Sequence, residues 1–352
     1  MSDMFDYLRW RGDLSFYQSR FCAVDGLILS ALTFINFSVF GGGEDICIKL
    51  ATEDYCPGGS YDDTDFGLIV PTVKINKLFC KCGATRRFGN IMVSDFVEKT
   101  DAEEGIQFAA MTFHIGRDRM VVAFRGTDDS LIGWREDCCL AYLEEIPAQG
   151  MAVRYLSHAA NKYPHKKIIV AGHSKGGNLS LYSALKCPEE IAERIIRAYS
   201  FDGPGLSRKM MSSERYHAMK SRLEIILPQS AYVGVMFERG ERFSIIKSTG
   251  RSLFQHDPFT WEVDGAGFVP MDELSTVGKL HEARFRARME EMTADDRRAV
   301  VETVFDSISA SGIKTLSELR ERGFAKVVSV IKTYGSYDKE KRELVRALLF
   351  KR

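Results

Sequence analysis

A serine flanked by glycine two residues before and two after stands between an apolar run and a helical pattern, in Val170-Ala-Gly172-His173-Ser174-Lys175-Gly176-Gly177-Asn178. Gly-x-Ser-x-Gly with a strand in front and a helix behind is the setting of a nucleophile elbow. The glycines let the crossing backbones approach, and the serine takes a strained turn that holds its hydroxyl above the sheet. The positive end of the following helix favours charge developing on a nearby oxygen. Upstream lies a second signature, Val122-Ala-Phe-Arg125-Gly126-Thr127, followed by Trp134 and Asp137. His173 is expected to pack or bond locally, because on an elbow its side chain is directed away from that of Ser174. Lys175 has two readings: a cation that favours an anionic head group or acyl substrate, or an aliphatic stem packed with its charge in water.

Phe124-Arg125-Gly126-Thr127, then Trp134 and Asp137, then Gly-His-Ser-x-Gly-Gly resembles the class 3 (fungal type) lipases of the α/β-hydrolase superfamily. The variant Gly-His-Ser-Lys-Gly-Gly, with Phe201-Asp-Gly-Pro-Gly205 and Gln255-His-Asp-Pro-Phe259, is more similar still to a bacterial family related to those lipases. The resemblance covers most of residues 1–275 and, more loosely, the remainder. It implies an α/β-hydrolase fold, a mostly parallel central sheet flanked by helices. The implied activity is that of a serine esterase on carboxylic esters, lipid-like ones among them, with no metal or organic cofactor. In the lipases the residue after Arg-Gly donates a backbone N–H to the oxyanion, which carries over to Thr127. The backbone N–H of Lys175, directly behind the nucleophile, is the second donor.

In that fold the partners follow in the order serine, acid, histidine, so only His217, His256 and His281 of the seven histidines qualify as base. His217 falls in a charged helical stretch and His281 opens a helical tail. His256 lies in a loop after the last expected strand and is the candidate base. Asp202 is the single aspartate between Ser174 and His256. It follows the strand after the nucleophile helix, one strand earlier than the usual acid, whose place here holds Pro228-Gln-Ser230. Asp202 is therefore the candidate acid and Glu238 its competitor, with Asp257 read as a loop-stabilising residue.

These groups need a scaffold. Of 352 residues 45% are apolar, and 48 basic residues balance 48 acidic ones, so no global field selects nucleic acid or an anionic membrane. Residues 1–275 are expected to form the hydrolase domain and 276–352 an α-helical extension packed on it. Short β-rich runs alternate with helical ones from about residue 105, as in a sheet with crossover helices. Strands are expected at Ile106–Ile115, Arg119–Phe124, Lys166–Val170, Arg197–Phe201, Leu223–Leu227 and Arg242–Lys247. Helices are expected at Ala152–Lys162, at Asn178–Lys186 and along the stripe Val24, Leu27, Ile28, Ala31, Ile35. Thr293-Ala-Asp-Asp296 reads as a capping box ahead of a helix that ends at Gly312.

Gly41 to Gly43 and the stretch from Cys56 to Asp65 read as loops, and Asp62, Asp63 and Asp65 as a solvated turn rather than a calcium site. Leu206 to Ser221, rich in Met and charge, is placed to cap a pocket, with Met210, Met211 and Met219 as helix packing. Eight cysteines without a secretion signal read as structural thiols of a reduced, cytoplasmic protein. Neither a signal peptide nor a membrane helix is evident. The basic, amphipathic run Lys339 to Arg352 suits peripheral membrane contact or, more commonly, a solvated face. The functional expectation is ester hydrolysis. The same residues suit acyl transfer or thioester cleavage, and a catalytically silent interaction protein on this fold is the remaining alternative.

Overall fold

In the computed structural model, which describes residues 2–41, 45–57, 71–240 and 242–321, the alternation of side chains along the central strands explains the architecture. Val121, Ala123, Ile169 and Ala171 enter one core, while Met120, Val122, Phe124, Ile168 and Val170 enter another on the opposite face. A strand covered on both faces needs apolar residues at every position, which is why these segments read as continuous apolar runs.

The strands are β1 (Ile46–Cys47), β2 (Met92–Asp101), β3 (Ile106–Ile115), β4 (Arg119–Phe124), β5 (Lys167–His173), β6 (Ile195–Phe201), β7 (Leu223–Pro228), β8 (Phe243–Ile246), β9 (Val263–Asp264), β10 (Gly267–Phe268) and β11 (Pro270–Met271). Nine form one sheet in the order β1-β2-β3-β4-β5-β6-β7-β8-β11, and β9 pairs with β10 separately. From β4 to β8 neighbours are parallel; the flanks are antiparallel. With an elbow between β5 and the helix behind it, this is an α/β-hydrolase fold.

Helices α1 (Met4–Arg11), α2 (Ala23–Leu32), α3 (Ile48–Tyr55), α4 (Thr72–Gly83) and α5 (Arg86–Gly89) supply the first core. After β4 come α6 (Leu131–Cys139), α7 (Pro147–Lys162), α8 (Lys175–Lys186), α9 (Glu189–Ala192), α10 (Arg208–Met211) and α11 (Glu214–Met219). α7 and α8 cover the second face. Pro147 opens α7, where its missing N–H costs nothing, so the helix begins five residues before the expected start. The first face is pinned by Asp25, wholly buried, which accepts from Arg87 Nε (2.7 Å) and Nη2 (2.6 Å) and from the Tyr7 hydroxyl (2.7 Å).

The C-terminal helices are α12 (Thr276–Glu291), α13 (Ala294–Ala310) and α14 (Leu316–Glu321). Thr293 caps α13 in the expected capping box, and Gly312 follows the helix at φ +72°. α13 docks on α6 through Leu131, Phe305 and Ile313. The Leu131 N–H donates to the Lys314 carbonyl at 2.9 Å. Among the described residues no helix is long and apolar enough to cross a membrane.

Two features depart from the expectations. β2 was not anticipated, because a bulge between Ser94 and Val97, with Asp95 at φ 55°, breaks its alternation. Cys56 and Cys80 form a disulfide between the end of α3 and α4, with Cα atoms 6.1 Å apart, while the other six cysteines are free. The uniformly reduced reading is corrected: packing of α3 on α4 unites two cysteines separated by 24 positions. In the Leu206–Ser221 segment the methionines pack as expected: Met219 is buried, and Met210 and Met211 lie against the second core. Gly42, Gly43, the Asp62-Asp63-Asp65 cluster and the Lys339–Arg352 run lie outside the described residues.

Candidate functional site

Ser174 sits between β5 and α8 at φ 58°, ψ −130°. A non-glycine residue in such a region costs about 1–3 kcal/mol and persists only where its surroundings over-determine it. Here they do. A Cβ on Gly172 would lie 2.0 Å from the Gly176 carbonyl oxygen, and one on Gly176 would lie 2.2 Å from that of Phe124. Both contacts are with backbone, so the elbow closes only with glycine at these positions. The Ser174 N–H donates to the Phe201 carbonyl (3.0 Å) and its own carbonyl accepts from Gly177 (2.8 Å).

The loop after β4 crosses directly over the elbow. A Cβ on Gly126 would meet the His173 carbonyl oxygen at 2.8 Å and Ser174 Cβ at 3.2 Å. Thr127 and Lys175 thus flank Ser174 from two elements, and their backbone N–H groups donate to no acceptor among the described residues. The Thr127 hydroxyl donates to Asp137 Oδ2.

Asp202 follows β6 at φ 46° and is wholly buried. Its Oδ2 accepts from His256 Nδ1 at 2.6 Å, and its Oδ1 accepts from the Gly234 N–H at 2.9 Å. His256 ends the 3-10 turn Ser252–His256. That turn is anchored on both sides of Gln255: the side chain accepts from the Ser230 N–H (2.8 Å), and the backbone carbonyl accepts from Trp261 Nε1 (2.8 Å). The His256 ring lies over that of His173, with centroids 4.6 Å apart. His256 thus lies against the residue that precedes Ser174. No hydrogen bond joins the Ser174 hydroxyl to His256 among the described residues.

His173 is buried and donates from Nε2 to the His256 carbonyl at 2.9 Å. Burial, reinforced by the neighbouring His256, holds its pKa well below the ordinary value, so it stays neutral. This is the local bonding expected of it. Asp257 accepts from Lys74 Nζ (2.9 Å) and the Phe259 N–H (2.9 Å), which fixes the loop to α4. Burial raises its pKa, against the opposing pull of Lys74. Glu238 pairs with Arg208 at 2.8 Å, its side chain 38% exposed, and makes no contact with a histidine. His217 is exposed on α11, and His281 rests against Tyr232 and the Ala231 carbonyl.

Lys175 overturns both readings of its side chain. It is 0% exposed. Its Nζ donates to the Gln107 carbonyl (2.8 Å), to Gln107 Oε1 (2.6 Å) and to Glu136 Oε2 (3.0 Å), and stands 3.7 Å from Asp137 Oδ1. The charge meets neither water nor a substrate pocket. Two carboxylates and an amide from β3 and α6 make burial of an ammonium tolerable. Gln107 and Glu136 are the residues that the sequence reading missed; adjacent carboxylates behind Arg-Gly-Thr, with a lysine on the elbow, were the available signal.

A cleft of about 480 Å³ opens among α10, α12 and the segment after α6, lined by Leu140, Tyr142, Leu206, Met210, Phe285 and Met289 among others. Neither Ser174 nor His256 lines it. Among the described residues no cluster of three or more His, Cys, Asp or Glu side chains is gathered for a metal ion.

No curated protein matches the chain. Among solved structures, a fungal lipase whose title describes an inhibitor complex and a model for interfacial activation in lipases aligns with 74% of this chain and 98% of its own. Identity is 15% and the TM-score 0.37. Residues 82–306, more than half of the sequence, match the family described as Mbeg1-like, and the chain belongs to that family.

Proposed function

We propose that the chain is a serine hydrolase that cleaves carboxylic esters, lipid-like esters among them, through an acyl-enzyme. The observation that carries this reading is the His256 imidazole, held at Nδ1 by the wholly buried Asp202, which leaves β6 directly after the Phe201 carbonyl that binds the strained Ser174. Asp202 accepts only, so Nδ1 carries the proton and Nε2 keeps the lone pair a general base requires.

In this mechanism Ser174 Oγ attacks the ester carbonyl while His256 Nε2 takes its proton. The tetrahedral oxyanion is held by the N–H groups of Thr127 and Lys175, each contributing about 3 kcal/mol by analogy with donor deletions elsewhere. His256 then protonates the departing alcohol. Water attacks the acyl-enzyme with the same imidazole as base, releasing the acid and restoring the Ser174 hydroxyl. Asp202 stays ionised throughout and stabilises the imidazolium.

A catalytically silent protein on the same fold is favoured by one observation, the missing hydrogen bond between Ser174 and His256. Such bonds are often long without substrate and tighten in the Michaelis complex. Labelling with a fluorophosphonate separates the readings. Wild type marked and Ser174→Ala unmarked supports the hydrolase; a folded wild type that stays unmarked refutes it. A panel of p-nitrophenyl esters of graded acyl length, run beside the same variant, then defines the substrate class.

A further inference from the structure

The buried ammonium of Lys175 has no part in the mechanism above, although its own backbone N–H does. Its surroundings connect it to the other donor. Lys175 Nζ is held by Gln107 from β3 and Glu136 from α6, and it faces Asp137, the next residue of α6. The second oxygen of that Asp137 carboxylate accepts from the Thr127 hydroxyl. A path of polar contacts, one of them the 3.7 Å ion pair between Lys175 and Asp137, therefore runs from one oxyanion donor through its side chain to the residue that supplies the other.

Glu136 anchors this path to the scaffold, since its Oε2 also accepts from the Gln107 N–H (3.0 Å) and its Oε1 from the Ala148 N–H at the start of α7 (2.8 Å). The loop is tied elsewhere as well, by the Asp129 carbonyl accepting from the Leu316 N–H (2.9 Å) and by the Arg125–Glu98 pair, but the bond to Asp137 is the one that Thr127 makes with its own side chain. Oxyanion donors act only if they are already aimed at the place where charge develops, and a displacement of about 1 Å can cost a factor of about 100.

Resting on the hydrolase reading, we propose that the Lys175 side chain is a positioning group: through Asp137 it fixes Thr127 relative to the N–H of Lys175, so that the two halves of the oxyanion hole form one unit. The ammonium touches no substrate. It sets the spacing between two donors that do.

The test uses the full chain with p-nitrophenyl butyrate, counting active sites by end-point fluorophosphonate labelling. Lys175→Met with Asp137→Asn removes one buried charge of each sign and leaves Glu136 with its two backbone donors. Turnover per labelled site is expected to fall on the order of 30-fold with KM changed less than twofold. The single variants are expected to be non-additive, each losing most of what the pair loses. A structural role alone would lower the number of labelled sites and leave turnover per site unchanged. Folded double variant with wild-type turnover per site overturns the proposal and leaves the hydrolase reading standing. A wild type with no Ser174-dependent labelling removes both. If the double variant does not fold, Asp137→Asn alone decides: it keeps the Lys175–Glu136 pair, a reduced kcat at constant KM supports the proposal, and an unchanged kcat overturns it.

Discussion

Replacing Asp202 by Asn changes one atom in a site with no spare hydrogen-bonding capacity. Asp202 Oδ1 accepts from the Gly234 N–H and Oδ2 from His256 Nδ1, in a wholly buried position. In the variant the amide oxygen must stay on the Gly234 side, because turning it would set two donors against each other. The NH2 group then faces Nδ1 and forces the imidazole into the tautomer with its proton on Nε2. That nitrogen can no longer accept the Ser174 proton. The corresponding change in a serine protease triad lowers kcat about 10⁴-fold, or about 5.4 kcal/mol of transition-state stabilisation. The expected result is a fall of that size in p-nitrophenyl butyrate turnover per folded molecule, with KM within about threefold because the change touches no binding contact. Glu238→Gln is the control: it removes a solvent-exposed pair with Arg208 and leaves activity unchanged. An Asp202→Asn enzyme whose turnover stays within about tenfold of wild type, against the expected 10⁴-fold loss, would refute the assignment.

Gly172→Ala drives a methyl group against the Gly176 backbone and is expected to abolish both Ser174 labelling and normal expression; a labelled, stable variant would contradict the elbow geometry. Arg87→Met strands the buried Asp25 carboxylate and should cost about 3–5 kcal/mol in urea unfolding. Breaking the Cys56–Cys80 bond releases a loop of 24 positions, expected to cost about 3.5 kcal/mol by loop entropy. Titration of the denatured, unreduced chain should find six thiols, and eight would show the bond is absent. Burial pushes Asp137 up to about 6 from the ordinary 3.8, against Lys175 and Thr127 and with the help of Glu136. The folded carboxyl thus binds its proton more tightly than the unfolded one. Its contribution to stability rises as pH falls through about 6 and levels off below about 4. Urea unfolding at pH 4.5 and 6.5 should show that increment in wild type and lose it in Asp137→Asn.

Legibility in the sequence followed the range of the forces involved. β3 and β4 were readable to the residue because two apolar-rich, β-branched and aromatic runs meet at the turn residues Gly116 to Asp118. The pairing of Asp202 with His256 was reachable because chain order and the scarcity of aspartates left few choices. Lys175 was misread because nothing in its local sequence announces burial; its partners come from β3 and α6, 68 and 39 residues away. The Cys56–Cys80 pair failed for the same reason, as two cysteines from separate helices carry no spacing signal until the helices pack.

The strained backbones of Ser174 and Asp202 share one origin. β5 and β6 are parallel neighbours in a register that pairs Gly172 with Ser200 and His173 with Phe201, so each of the two residues leaves its strand at the same level. Both then turn through positive φ, at 58° and 46°. They are tied across the strand ends, since the Ser174 N–H bonds to the Phe201 carbonyl and a Cβ on Gly203 would lie 2.7 Å from the Ser174 carbonyl oxygen. The separation of Ser174 and Asp202 is thereby set by sheet register, which two continuous cores hold in place. Only His256 arrives on a loop, and that loop is fastened through Gln255, Trp261 and the Lys74–Asp257 pair. On the proposed hydrolase reading, an acid at the end of β6, one strand earlier than usual, therefore needs no rebuilt scaffold. It needs a histidine loop that reaches the end of β6, and the anchors around His256 provide one.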